Sequence, residues 1–176
     1  MFFRIHLCVL CFSSVSSVVQ AEIIDRVIAV VAGQVITKSD LDAAAAFGFA
    51  GNLQELIDRM LMLNEVRKVA PPDPIPANVQ ARLATVRNRF ATPAAVARAL
   101  AETGLDEPAL TVFAADDVRL AAYLEERFSA ASQPTDAEIR QAGEAERARL
   151  IAERRQALVN AWIGELRRRA EIVVSR

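Results

Sequence analysis

The chain has 176 residues, in which 21 lysines and arginines nearly balance 22 aspartates and glutamates. This balance gives no electrostatic reason to expect nucleic-acid binding, because proteins that bind nucleic acid carry a concentrated positive charge. The length is sufficient for one domain with a hydrophobic core of its own.

The first 21 residues have the pattern of a secretory signal peptide. Arg4 supplies a positive charge, and the apolar run at residues 5–15 is too short to span a bilayer comfortably. Val19 and Ala21 occupy the positions that a signal peptidase reads. We expect cleavage between Ala21 and Glu22, a periplasmic location and no stable membrane insertion of the processed chain. The alternative is an N-terminal anchor that remains uncleaved.

The single histidine and both cysteines lie inside this segment, as His6, Cys8 and Cys11. Cleavage would remove them together with Arg4 and leave 20 basic against 22 acidic residues. Residues 22–176 thus contain no cysteine or histidine for nucleophilic catalysis, no zinc ligands of the usual kinds and no glycine-rich phosphate loop. We expect a protein without enzymatic activity, metal or cofactor.

Residues 23–42 predict a β-hairpin followed by a helix. The β-branched run Val27–Val31 and a second apolar run at 35–37 are separated by a short segment that contains glycine. Ser39 is the expected N-cap of the helix. A hairpin of this size needs another strand or a helix to cover it. The other strand candidate is Ile172–Val174, so we expect it to pair with the hairpin and to place Trp162 in the core between the chain ends.

Apolar residues at helical spacing predict helices along most of the intervening chain. The run at 70–76 contains four prolines and is predicted to be a stiff connector between two of the helices. The neighbouring acids Asp116 and Asp117 are interpreted as solvated positions on a helix rather than metal ligands. The predicted helices cover about residues 39–47, 53–66, 77–90, 93–103, 107–128, 136–142 and 144–170.

Five segments occur in the order typical of one family: IDRVIAVVAGQVITKSDLD, LQELIDRMLMLNEVRK, YLEERF, PTDAEIRQ and LRRRAEIVV. With them the chain resembles the SurA family of periplasmic chaperones, over the N-terminal chaperone domain and the C-terminal helix. That family usually carries one or two parvulin-type prolyl isomerase domains between the PTDAEI segment and the final helix. Nothing fills that gap here, so we expect no isomerase activity.

The expected fold is mainly α, a multi-helix domain with a small hairpin near its N-terminus closed by a C-terminal strand. After the signal peptide, residues 1–21, we expect a single chaperone-like domain, residues 22–176. Within it, residues 22–131 form the N-terminal core and residues 135–176 form a returning helix and strand.

The resemblance implies a chaperone-like module that binds unfolded or extended polypeptides, among them outer-membrane protein precursors. Phe47, Phe49 and Met62 are the candidate peptide-binding residues, because they are apolar and lie near helix ends or off the main apolar stripes. Their alternative role is core packing. The alternative function is a structural or assembly protein that binds one folded partner, or itself as a homodimer with the last helix as an arm and Trp162 at the interface.

Overall fold

The computed structural model describes residues 25–175, and most of them lie in helices. The prediction of a mainly α fold with a hairpin and a closing C-terminal strand is confirmed. A single turn of 3-10 helix, Glu144–Glu146, precedes the last helix. The elements within the described range are β1 Val27–Val31, β2 Gln34–Thr37, α1 Lys38–Phe47, α2 Leu53–Lys68, α3 Pro76–Arg87, α4 Pro93–Thr103, α5 Glu107–Phe128, α6 Asp136–Ala142, α7 Arg147–Arg169 and β3 Ile172–Val174.

The three strands form one antiparallel sheet in the order β2-β1-β3. Strand β1 is central: Val30 lies opposite Val35 of β2 on one side and opposite Val173 of β3 on the other. Ala32 and Gly33 connect β1 to β2 with φ angles of 49° and 79°. Positive φ at both residues is typical of the tight turns that match the twist of a hairpin. The predicted pairing of the C-terminal strand with the hairpin is therefore confirmed.

The N-cap of helix α1 lies two residues earlier than predicted. Its N-cap is Thr37, whose hydroxyl accepts a hydrogen bond from the Asp40 amide at 3.2 Å. The Asp40 carboxylate in turn accepts from the Thr37 amide at 2.9 Å, which completes a capping box. The prediction of Ser39 as the N-cap was wrong because the extended backbone ends at Thr37, and Ser39 is already helical. Ser39 bonds to Asp25 instead.

The core has two main parts. One lies between the sheet, α2 and α7 and includes Val31, Ile36 and Trp162, and the other lies among α1, α3, α4 and α5. Trp162 is 4% exposed and contacts the rings of Tyr123 and Phe128, with centroids 5.7 and 6.0 Å away. The expected place of Trp162 in the core is confirmed, and the alternative of α7 as a freely projecting arm is wrong.

No helix within residues 25–175 is long and apolar enough to cross a membrane. The predicted cleavage site between Ala21 and Glu22 lies outside the described residues.

Candidate functional site: a groove beside the proline-rich connector

The segment between α2 and α3 forms no helix or strand, as its prolines predicted. We call residues 69–75 the connector. Proline restricts φ of its own residue and disfavours helical geometry in the residue before it, so residues 71–75 are stiff and extended. It runs beside the C-terminal half of α5 and leaves an open groove between the two.

The groove has a volume of about 810 Å³. That volume lies in the range of protein sites that bind ligands. Positions three and four residues apart lie on one face of a helix, which explains why α5 lines the groove with three successive pairs of residues. The lining residues are Val69, Ala70, Pro71, Pro72, Asp73, Pro74 and Ile75 of the connector, Asn78 of α3, and Val118, Arg119, Ala122, Tyr123, Glu126 and Arg127 of α5.

Two large aliphatic side chains stand at the two ends of the connector. Val69 is 58% exposed and Ile75 is 64% exposed. Single exposed aliphatic residues are common on protein surfaces, but these two line the same groove, with the prolines between them. This apolar wall suits the side chains of an extended polypeptide.

The opposite wall combines an aromatic ring with a cation. The Arg127 guanidinium donates a hydrogen bond to the Tyr123 hydroxyl at 3.1 Å and lies 5.2 Å from the centre of the Trp162 ring. Tyr123 is half-buried and presents an apolar ring with a polar end. Arg127 is exposed and keeps donors available for carbonyl or carboxylate oxygens. The wall can therefore hold both the side chains and the main chain of a peptide.

Arg119 ties the connector to α5. Its guanidinium donates to Asp116 at 2.7 Å and to Asp73 of the connector at 3.3 Å. The Asp73 side chain is 98% exposed, so its ion pair contributes little to stability. The connection can therefore open at little cost in free energy, and salt should weaken it.

Asp116 and Asp117 belong to an ion-pair network behind the groove. Asp117 binds Arg59 of α2 and accepts from Arg82 of α3 at 2.7 Å. Asp116 is 9% exposed and accepts from Arg67 of α2 at 3.2 Å. The prediction that these acids are solvated was wrong, because α2 and α3 flank α5 and direct arginines toward it. Adjacent helical residues point in different directions, so each aspartate meets its own arginines.

The structure places the three predicted peptide-binding residues away from the groove. Phe47 has no exposed surface and packs against Phe90 in the core, with ring centroids 5.4 Å apart. Phe47 thus has the core-packing role that was its alternative, since the end of α1 is covered by α3 and α4. Phe49 is half-buried, with its ring 5.1 Å from Phe113. Met62 is half-buried and packs against the same buried cluster as Tyr123.

Sequence reasoning missed Val69, Ile75, Tyr123 and Arg127 as groove residues. One signal was available: Ile75 is a large aliphatic residue between two prolines, in a segment that cannot bury it within a helix. The facing residues of α5 gave no such signal, because their spacing resembles that of any partly buried helix face.

The shifted pKa values belong to groups at helix starts. The pKa of the Glu138 carboxyl is lowered mainly by the hydrogen bond from the Thr135 amide, then by the Thr135 hydroxyl and by Arg154. The pKa of Asp25 is lowered by the Ser39 and Thr37 hydroxyls. These shifts follow from capping and ion pairing.

The part of the chain that the structure describes contains no group of three His, Cys, Asp or Glu side chains that could hold a metal ion. The arrangement around the groove is suited to binding a polypeptide segment. In comparisons with known proteins, neither a family model nor a curated protein matches the chain.

Proposed function

We propose that this protein is a periplasmic chaperone-like module that binds unfolded or extended polypeptides, including outer-membrane protein precursors, in the groove between the connector and α5. The observation that carries the proposal is the open groove of about 810 Å³ with exposed aliphatic residues at both ends of one wall. A holding chaperone needs an apolar surface that charged residues keep soluble. Arg127 and Glu126 supply such charges at the groove.

The resemblance to the SurA family supports the same function, since five segments of this chain follow one another in the order typical of that family. The described fold also has the feature that the resemblance implies, a final helix that returns to the N-terminal sheet. The proposal includes no prolyl isomerase activity, which a proline-peptide assay tests directly. A chaperone of this kind should bind several unrelated unfolded proteins, whereas an assembly factor should bind one folded partner.

The test is to fill the groove. Ala122 is an exposed residue of α5 that lines the groove, and Ala121 is its exposed neighbour that does not. We expect Ala122→Trp to weaken binding of a fluorescently labelled unfolded outer-membrane protein at least tenfold in anisotropy titrations, because the indole occupies the space of the peptide. Ala121→Trp adds the same side chain to the same helix and should bind within twofold of the unchanged protein.

Suppression of aggregation should follow binding. The unchanged protein and Ala121→Trp should keep several unrelated unfolded proteins in solution, and Ala122→Trp should not. Equal binding by the two variants would place the peptide elsewhere. Binding of a single folded partner, with no effect on unfolded proteins, would favour the assembly factor.

A further inference from the structure

Strand β3 is an edge of the sheet, with β1 on one side and no strand on the other within the described chain. The ladder to β1 continues past the strand ends: the Ala32 amide donates to the Glu171 carbonyl at 2.9 Å, and the Ser175 amide donates to the Ile28 carbonyl at 3.0 Å. Successive residues of an antiparallel strand direct their main-chain groups to alternate sides. Val173 therefore also bonds toward β1, between these two positions.

The same alternation directs the N–H and C=O groups of Ile172 and Val174 away from β1, toward the open side. A free edge of this kind is a template for another strand, unless lysine, proline or a bulge blocks it. Strand β3 contains only Ile172, Val173 and Val174, so its sequence carries none of these blocks.

The outward face at this edge is apolar. Val173 lies opposite Val30, which in turn lies opposite Val35, so three valines form a row across the sheet. Val173 is 54% exposed and Val35 is 52% exposed. The two edges of the sheet thus present equally exposed valines on the same face, and at the β3 edge the outward main-chain groups of Ile172 and Val174 flank this valine.

We propose that two copies of this chain pair through β3, antiparallel and about a two-fold axis, with Val173 of one copy opposite Val173 of the other. Ile172 then lies opposite Val174 of the second copy, and both residues direct their main-chain groups toward each other. This register uses all the free groups of both strands. Glu171 lies opposite Ser175, so no like charges meet in the ladder.

Strand β3 is complementary to itself in this register, and a second copy of the chain is therefore the partner that we propose. The paired strands are short, and specific protein interfaces of standard size bury much more surface than three residues can supply. We therefore expect a reversible equilibrium between monomer and dimer. The proposal is independent of the groove, and Ala122→Trp should dimerise as the unchanged protein does.

The test is sedimentation velocity over a concentration series, on the full chain as the expressing cells process it. Val173→Lys and Val173→Asp should each abolish the dimer, because each places two like charges directly opposite one another at the axis. An equimolar mixture of the two variants should restore it, because lysine then lies opposite aspartate. Val35→Lys is the matched control, equally exposed on the same face at the other edge, and should dimerise normally.

A second variant tests the main-chain bonds. Val174→Pro removes an N–H that is directed away from β1 and leaves the bonds of Val173 and Ser175 to β1 in place. It should weaken the dimer at least tenfold with an unchanged far-UV circular dichroism spectrum. The proposal fails if the unchanged protein stays monomeric at all concentrations, if the mixture stays monomeric, or if Val35→Lys weakens the dimer as much as Val173→Lys. Capture of a labelled extended peptide at β3 by a monomeric protein would likewise overturn it.

Discussion

Arg59 is a buried cation whose charge is balanced by a nearby aspartate. Its side chain is 7% exposed and is flanked by Asp117 and by the Phe49 ring, whose centre lies 5.3 Å from the guanidinium. It also donates to the Phe113 carbonyl at 3.1 Å. A buried guanidinium is tolerated only when its charge is paired and its donors are satisfied.

We predict that Asp117→Asn lowers the free energy of unfolding by about 3 kcal/mol, because it leaves Arg59 buried beside a neutral amide. Urea denaturation measures the change. Asp73→Asn is the control, since the Asp73 side chain is 98% exposed and its loss should cost less than about 0.5 kcal/mol. Similar effects of the two changes would show that the network does not depend on burial.

The sequence was least informative about individual ion pairs such as these. Asp117 lies 58 positions after Arg59 and 35 positions after Arg82, and no local pattern links residues so far apart. Adjacent acids on a helix look alike whether they face water or arginines. Only the packing of α2 and α3 against α5 separates the two cases.

Among the elements, α7 carries the connection between the two ends of the fold. Trp162 inserts between Tyr123 and Phe128 of α5, and Leu166 is buried in the same cluster as β1. Arg167 adds a hydrogen bond to the Gln54 side chain of α2 at 2.9 Å. One face of α7 thus contacts both α2 and α5.

We predict that Trp162→Ala lowers the free energy of unfolding by about 4 kcal/mol, because it removes a large buried ring and leaves a cavity. Differential scanning calorimetry should show a correspondingly lower Tm. Glu165→Ala changes an exposed residue of the same helix and should leave the Tm almost unchanged. An unchanged Tm in Trp162→Ala would mean that α7 does not support the core.

The elements were largely predictable because each has a local signal. The β-branched runs predicted the three strands of the described chain. Thr135 and Glu138 form a capping box at the start of α6, which is also a signal within a few residues. The pairing of β1 with β3 followed from the need to cover a short hairpin. The groove was only partly predictable. Ile75 between two prolines was a signal in the connector, but the facing residues 118–127 of α5 have the spacing of any partly buried helix face.

For the molecule as a whole, the proposed function requires that the chain leaves the cytoplasm. We predict that protein recovered from the periplasmic fraction of expressing cells begins at Glu22, because Val19 and Ala21 lie where the peptidase reads the chain. N-terminal sequencing makes the measurement. A chain that still begins at Met1 and stays with the membrane would support an uncleaved anchor. In that case Ala21→Asp should change neither the N-terminal residue nor the cell fraction in which the protein is found.

The central strand of the sheet also sets the order in which the molecule can fold. Strand β1 pairs with β2 only a few residues away, but its other partner is far along the chain, with Ala29 opposite Val174. Closing so long a loop is entropically unfavourable until the helices between have packed and shortened the effective distance. During synthesis on the ribosome, the hairpin therefore remains with one side of β1 unpaired until the last residues have been added. The fold becomes complete only when the last strand arrives, so an interrupted chain would present an open β1 edge to quality-control proteases.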